Sequence, residues 1–260
     1  MILERELHRC YERASPYLGE EAEPFKVVNA GERHREYWRP EEVRVLLLAE
    51  SHVYTKGEEC VPMKGPDQYG PEGVPDAFIR LVYCLGYGER EYAGLNLANN
   101  AGTWQYWKIF SSCAYRDGAP ESDLVLKSIS PIAMDRISAK INLLRRLRQM
   151  GVWLVDSSVL ALYKPGGIKP DRAIRDRLLQ VCWDEYIGHV VEAARPRQVV
   201  VIGQGVSQAI GGRIKSITNR QPLTLGQPQG LRTRSQIADA YETYHRVCGE
   251  HCHGVQSRGV

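Results

Sequence analysis

The chain has 260 residues, 43% hydrophobic and 25% charged, which suits one large α/β domain or two small ones. No apolar run approaches the roughly 20 residues that span a bilayer. The N-terminal stretch Met1–Arg9 lacks the apolar core of a secretion signal, and seven scattered Cys argue against a disulfide framework, so a reducing cytoplasm is expected. The formal net charge is only +3, but residues 1–135 carry 15 Lys+Arg against 22 Asp+Glu, whereas residues 136–234 carry 17 against 6. A basic second half suggests an anionic partner approached by one face.

Residues 1–20 read as a helix, with Leu3, Leu7, Cys10 and Tyr11 at helical spacing. A polar link follows, and residues 1–40 are expected to form a helical N-terminal extension. Val43–Ala49 is a strand that ends abruptly on Glu50, with His52 two residues on. Residues 51–75, rich in Gly, Pro and charge, predict a long loop, of a length more often functional than idle. Phe78–Leu85 reads as a helix stopped by Gly86 and Gly88, and Trp104–Cys113 as an aromatic-rich helix or turn.

Ile137, Ile141, Leu144 and Leu147 form an apolar helical stripe, with Gly151 as its C-terminal stop. Trp153–Asp156 is a second strand, again ending on a carboxylate. Pro165-Gly-Gly167 breaks the chain, and residues 171–194 predict a long helix. Val199–Gly203 is a third strand entering a helix near Ser207, and Pro222–Gly226 a fourth. Residues 234–246 predict a closing helix and 247–260 a flexible tail. Strands alternating with helices indicate a parallel α/β sheet within a single domain spanning 1–260.

Several familiar sites fail on spacing. Gly203-Gln-Gly205 follows a strand, but the third Gly of a dinucleotide turn is missing, since position 208 is Gln. The phosphate-binding P-loop and the Gly-x-Ser-x-Gly nucleophile turn are absent. Cys248, His251, Cys252 and His253 lie too close together for a zinc site without a second half. Cys84, Cys113 and Cys182 read as buried structural residues. No metal and no cofactor are expected.

What remains is a set of strand ends: Glu50, Asp156, Gly203 and the turn Gly226–Leu231. In open α/β sheets, ligands sit beyond the carboxyl ends of the strands. One carboxylate there can stabilise a developing cation or orient water, and the other can read a polar ligand. Cleavage of a glycosidic bond passes through an oxocarbenium-like state that a carboxylate stabilises.

In this arrangement the chain resembles the uracil-DNA glycosylase superfamily over about residues 43–245. Leu48-Ala-Glu50-Ser51-His52 is similar to the family's first motif, Gly-Gln-Asp-Pro-Tyr-His or Gly-Glu-Ala-Pro-Gly. Trp153-Leu-Val-Asp156 is similar to the middle motif Leu-Leu-Leu-Asn. Gln227-Pro228-Gln229-Gly230-Leu231-Arg232 is similar to His-Pro-Ser-Pro-Leu-Ser, with Pro228 and Leu231 in register. The resemblance implies a three-layer α/β/α sandwich around a central four-stranded, mostly parallel sheet. It also implies a monomeric DNA glycosylase that needs no metal or membrane. Glu50 would position water and stabilise the sugar cation. Gln227 would donate to the base O2, with His52 as a compensating group. The turn Pro228–Arg232 would contact DNA, with Leu231 filling the gap left by a flipped base.

The departures from the family pattern bear on the base. Asp156 stands where an Asn reads uracil; an ionised Asp only accepts hydrogen bonds, which suits the N4 amino group of cytosine. Ser51 and His52 stand where the family has Pro and a Tyr that blocks 5-methyl groups. These changes imply a 5-modified cytosine, such as the glucosylated hydroxymethylcytosine of phage DNA, and a role in anti-phage defence. The alternatives are a uracil or hypoxanthine repair glycosylase, and a catalytically idle nucleic-acid-binding module. Tyr69 and Phe78 are the expected pair of rings to stack on the base.

Overall fold

A computed structural model describes residues 3–95, 104–116, 119, 122–126, 128–227 and 233–252 of the chain. Four strands form one parallel sheet: β1 Val45–Ala49, β2 Val152–Asp156, β3 Gln198–Ile202 and β4 Leu223–Leu225. Their spatial order is β2-β1-β3-β4, with Leu47 opposite both Leu154 and Val200. Every residue of β1 and β2 is buried. Strands covered on both faces carry continuous apolar runs, which is how these segments read in sequence.

The helices are α1 Glu4–Ala14, α2 Phe25–Tyr37, α3 Gly65–Tyr69, α4 Arg90–Ala93, α5 Trp104–Ala114, α6 Ala133–Met150, α7 Arg172–Cys182, α8 Gly188–Ala194, α9 Gln204–Thr218 and α10 Arg234–Cys252. A π-helical turn, Trp183–Ile187, joins α7 to α8. α5, α6 and α10 pack together, with α6 against β2 and α10 against β1. α1, α7, α8 and α9 form a second group, with α9 against β3 and β4. Successive right-handed crossovers run outward from β1 to β2 and back across β1 to β3, so their helices fall on opposite faces. The result is the expected three-layer α/β/α sandwich.

Several sequence expectations need correction. The polar link after residue 20 contains α2, whose buried face includes Val27, Val28, Gly31, Glu32, His34 and Arg35. Residues 1–40 are therefore helical but built into the core rather than appended to it. Phe78–Leu85 forms turns, not a helix. Phe78, Ile79, Leu81, Val82, Tyr83, Cys84 and Leu85 are all buried, so the segment lacks the solvent face of a surface helix. The closing helix runs on to Cys252, and Cys248 is fully buried. The tail expectation thus fails for 247–252, and 253–260 lie outside the described residues. All seven Cys are free, and Cys84, Cys113 and Cys182 are buried as expected. Among the described residues, no helix is long and apolar enough to cross a membrane.

Candidate functional site

The sheet order reverses between β1 and β3, so the loops leaving these strands diverge to opposite sides and open a crevice at their carboxyl ends. Two cavities occupy this place. One, of about 620 Å³, is lined by Glu50, Tyr163, Arg175, the first turn of α9 with its preceding Gly203, and Gly226 and Gln227. The other, of about 300 Å³, is lined by Glu50, Ser51, His52, Gln105, Tyr106, Tyr163 and Gln227, among others. Glu50, Tyr163 and Gln227 belong to both walls. The volumes lie within the ~300–1,000 Å³ usual for small-ligand sites.

Glu50 is carried to the crevice by the end of β1 and is held there by backbone pairing. Ser157 N–H donates to Ala49 O at 2.7 Å, and Ser158 N–H donates to Glu50 O at 3.0 Å. Burial pushes the Glu50 carboxyl above the usual carboxylate range, and Arg175, with Nε 3.8 Å from Oε1, opposes that rise. Arg175 also donates to Asp176 Oδ1 at 2.7 Å. Its guanidinium lies against the start of α9, where a β-carbon on Gly205 would fall 3.0 Å from Nη1 and Nη2. The crevice thus combines a carboxylate, a guanidinium and the positive end of a 15-residue helix. Gln227 follows β4 and packs over Gly203. Its amide can donate and accept.

Asp156 ends β2 as predicted but does not line either cavity. It is 2% exposed, and its Oδ2 accepts from Arg35 Nη2 at 2.5 Å. Arg35 also pairs with Glu32, which accepts from the Tyr186 hydroxyl at 3.1 Å. On the other side, His52 Nε2 donates to Glu23 Oε2 at 2.8 Å, while Nδ1 lies 3.7 Å from Asp156 Oδ2, an ion-pair separation. Burial opposes a charge on His52, but Glu23 and Asp156 outweigh it and push the imidazole up to about 9. Burial likewise opposes ionisation of Asp156, and Arg35 and His52 hold it below its usual value. Glu23–His52–Asp156–Arg35–Glu32 is therefore a buried chain of alternating charge that runs directly beneath the Glu50 loop.

This geometry changes the roles read from sequence. Asp156 is a counter-ion inside the protein, so its carboxylate is not presented to a ligand. His52 reaches the wall of the smaller cavity, but its side chain is fully buried and engaged by Glu23, so it supports the loop rather than donating into the site. Ser51 lines the smaller cavity, and its Oγ accepts from Leu162 N–H at 3.3 Å. Phe78 is buried against Tyr87, with ring centroids 6.5 Å apart, and Tyr69 is 53% exposed. Neither lines these cavities; Tyr106 and Tyr163 do. Pro228, Gln229, Gly230, Leu231 and Arg232 lie outside the described residues.

Sequence reasoning missed Glu23, Glu32, Arg35, Gln105, Tyr106, Tyr163 and Arg175. Val27, Gly31 and Arg35 recur at helical spacing, which was the available signal for α2. No family model, curated protein or solved structure matches the chain. The site is thus interpreted on its own geometry.

Proposed function

We propose that the protein is a DNA glycosylase that hydrolyses the N-glycosidic bond of a flipped base and leaves an abasic site. The observation that carries this reading is the shared position of Glu50 and Gln227, from different strand ends, on the walls of both cavities. A sugar placed between them would meet a carboxylate on one side and an amide donor on the other. Glu50 orients a water and stabilises the oxocarbenium sugar, while Gln227 donates to the departing base as it gains negative charge. Arg175 and the start of α9 suit a neighbouring phosphate. Tyr106 and Tyr163 offer rings for stacking, and Gln105 offers an amide to the base edge.

The two cavities that share Glu50, of about 620 and 300 Å³, favour a bulky base, in line with a 5-modified cytosine such as glucosylated hydroxymethylcytosine. Ser51 stands at the wall where the family has Pro. A second reading, a uracil or hypoxanthine repair enzyme, gains from the engagement of Asp156 with Arg35. That pairing removes the acceptor on which a cytosine preference rested. Duplexes carrying uracil, hypoxanthine, unmodified cytosine or glucosylated hydroxymethylcytosine, followed by alkaline cleavage, separate the two. Strand cleavage only at the glucosylated base supports the first reading, and cleavage only at uracil or hypoxanthine supports the second.

A further inference from the structure

Two residues of the larger cavity's wall bracket the exit of the loop between β2 and α7: Tyr163, midway along the loop, and Arg175, in the first turn of α7. Between them the chain makes a tight turn, in which Gly167 N–H donates to Lys164 O at 2.9 Å. Pro165 sets the first corner, and Gly166 takes φ +77°, the left-handed value that the second corner requires. The turn packs on Glu21, whose carboxylate occupies the space a Gly167 side chain would need and also pairs with Lys164 at 3.5 Å. Pro170 then leads into Asp171, which caps α7 by accepting from Ile174 N–H at 2.8 Å. The loop is thus held at its base, at its turn and at its exit.

What this support presents is Ile168, at 86% exposure. A lone exposed aliphatic needs no explanation by itself. Here it directly follows a braced turn, between the cavity-lining Tyr163 and Arg175, with Lys169 and Arg172 exposed beyond it. The exposed apolar side chains Tyr163 and Ile174 flank the same loop. Much of the positive charge of residues 136–234 is spent elsewhere. Arg136 and Lys140 are buried on Glu89, Arg197 pairs with Glu42, and Arg213 with Asp184. Lys169, over the Tyr163 ring, and Arg172, which pairs with Asp176 at 3.5 Å and donates to Gln208 at 2.7 Å, remain exposed after Ile168.

We infer that this loop is a nucleic-acid wedge: Ile168 enters the base stack of a duplex beside the extruded nucleotide, and Lys169 and Arg172 take the flanking phosphates. This rests on the glycosylase reading for the identity of the polymer, and it adds an intercalating residue that the resemblance does not imply. An apolar tip with basic flanks would also suit an anionic membrane. The placement of Ile168 between the cavity-lining residues Tyr163 and Arg175 favours DNA, because a strand feeding the cavity would pass this segment. A wedge compensates lost stacking only when a duplex is opened, so it matters little for a single strand.

The test uses the full chain and its Ile168→Ala variant, whose exposed position leaves the fold intact. A duplex carries 2-aminopurine next to the target base, and the same target is also presented in a single strand. Wild-type binding to the duplex should raise 2-aminopurine fluorescence, and Ile168→Ala should lose most of that rise. Base release from the duplex should fall about tenfold or more, with release from the single strand within about twofold of wild type. Fluorescence that responds equally in both proteins overturns the inference, as does a wild-type protein that binds no duplex. Loss of binding by Ile168→Ala to phosphatidylserine vesicles, with DNA binding unchanged, overturns it in favour of a membrane. If wild type releases no base yet shows the Ile168-dependent fluorescence, the wedge stands and the glycosylase reading falls.

Discussion

Asp156 Oδ2 lies 2.5 Å from Arg35 Nη2, so the acid that ends β2 balances a buried guanidinium instead of facing the crevice. Arg35 in turn lies between Asp156 and Glu32, both nearly inaccessible. Removing one member of such a set leaves an uncompensated buried charge. Arg35→Met should therefore destabilise the protein by roughly 3–5 kcal/mol. Thermal or urea unfolding measures this, and a loss below about 1 kcal/mol would mean that the carboxylates are not held as ions.

His52 gives the fold a pH dependence of definite sign. Its folded value, about 9, lies above the ordinary 6.5. Below 6.5 both folded and unfolded chains hold the proton, and the stabilisation from Glu23 and Asp156 is fully present. As pH rises toward 9 the unfolded chain has released the proton and the folded chain has not, so stability falls by an amount on the order of a few kcal/mol. Unfolding curves between pH 6 and 10 should show this decline, and His52→Gln should flatten it. A decline of equal slope in the variant would assign it to other groups.

Glu50 shares this sign of pH dependence, but here the charged form is the costly one. Burial raises its carboxyl, so its ionised form costs stability at neutral pH. Glu50→Gln should leave the unfolding midpoint unchanged or slightly raised, by no more than about 1 kcal/mol, while removing base release. A clear drop in stability would recast Glu50 as a structural residue.

The same carboxyl should set the acid limb of the pH–rate profile. The proposed reaction requires the ionised form, so activity should be lost as pH falls through a value above the usual carboxylate range. Arg175→Gln removes the charge that opposes this rise, and should move the limb further toward neutral pH. Steady-state rates from pH 4 to 8 for both proteins measure the shift. An unmoved limb would detach Arg175 from Glu50.

Gln227→Ala should lower turnover by roughly 100-fold, the usual cost of losing one donor to a developing negative charge, with binding of DNA changed only a few-fold. Single-turnover kinetics separate the two. Equal losses in binding and in turnover would make Gln227 a positioning contact only.

The sheet was legible in sequence because Val45–Ala49, Trp153–Val155 and Val199–Ile202 are buried on both faces and so read as unbroken apolar runs. Glu50 was legible for a related reason, as the first polar group after such a run; Gln227 was read instead from its place just past the short strand Leu223–Leu225. α2 was not, because its inward face carries Glu32, His34 and Arg35, which resemble solvent residues until their partners are known. The role of Asp156 was misread for the same reason, since Arg35 lies 121 residues away in the chain. Phe78–Leu85 failed differently: a stretch buried on all sides has no periodicity to distinguish turns from helix.

In the proposed reaction Glu50 drives cleavage of a base from DNA. Mass spectrometry of the bases released from unmodified, uracil-containing and glucosylated phage DNA, by the wild-type chain and by Glu50→Gln, measures this step. The expected result is a free modified cytosine from the phage DNA with wild type and none with the variant. Absence of any released base with wild type, or equal release by Glu50→Gln, would contradict it.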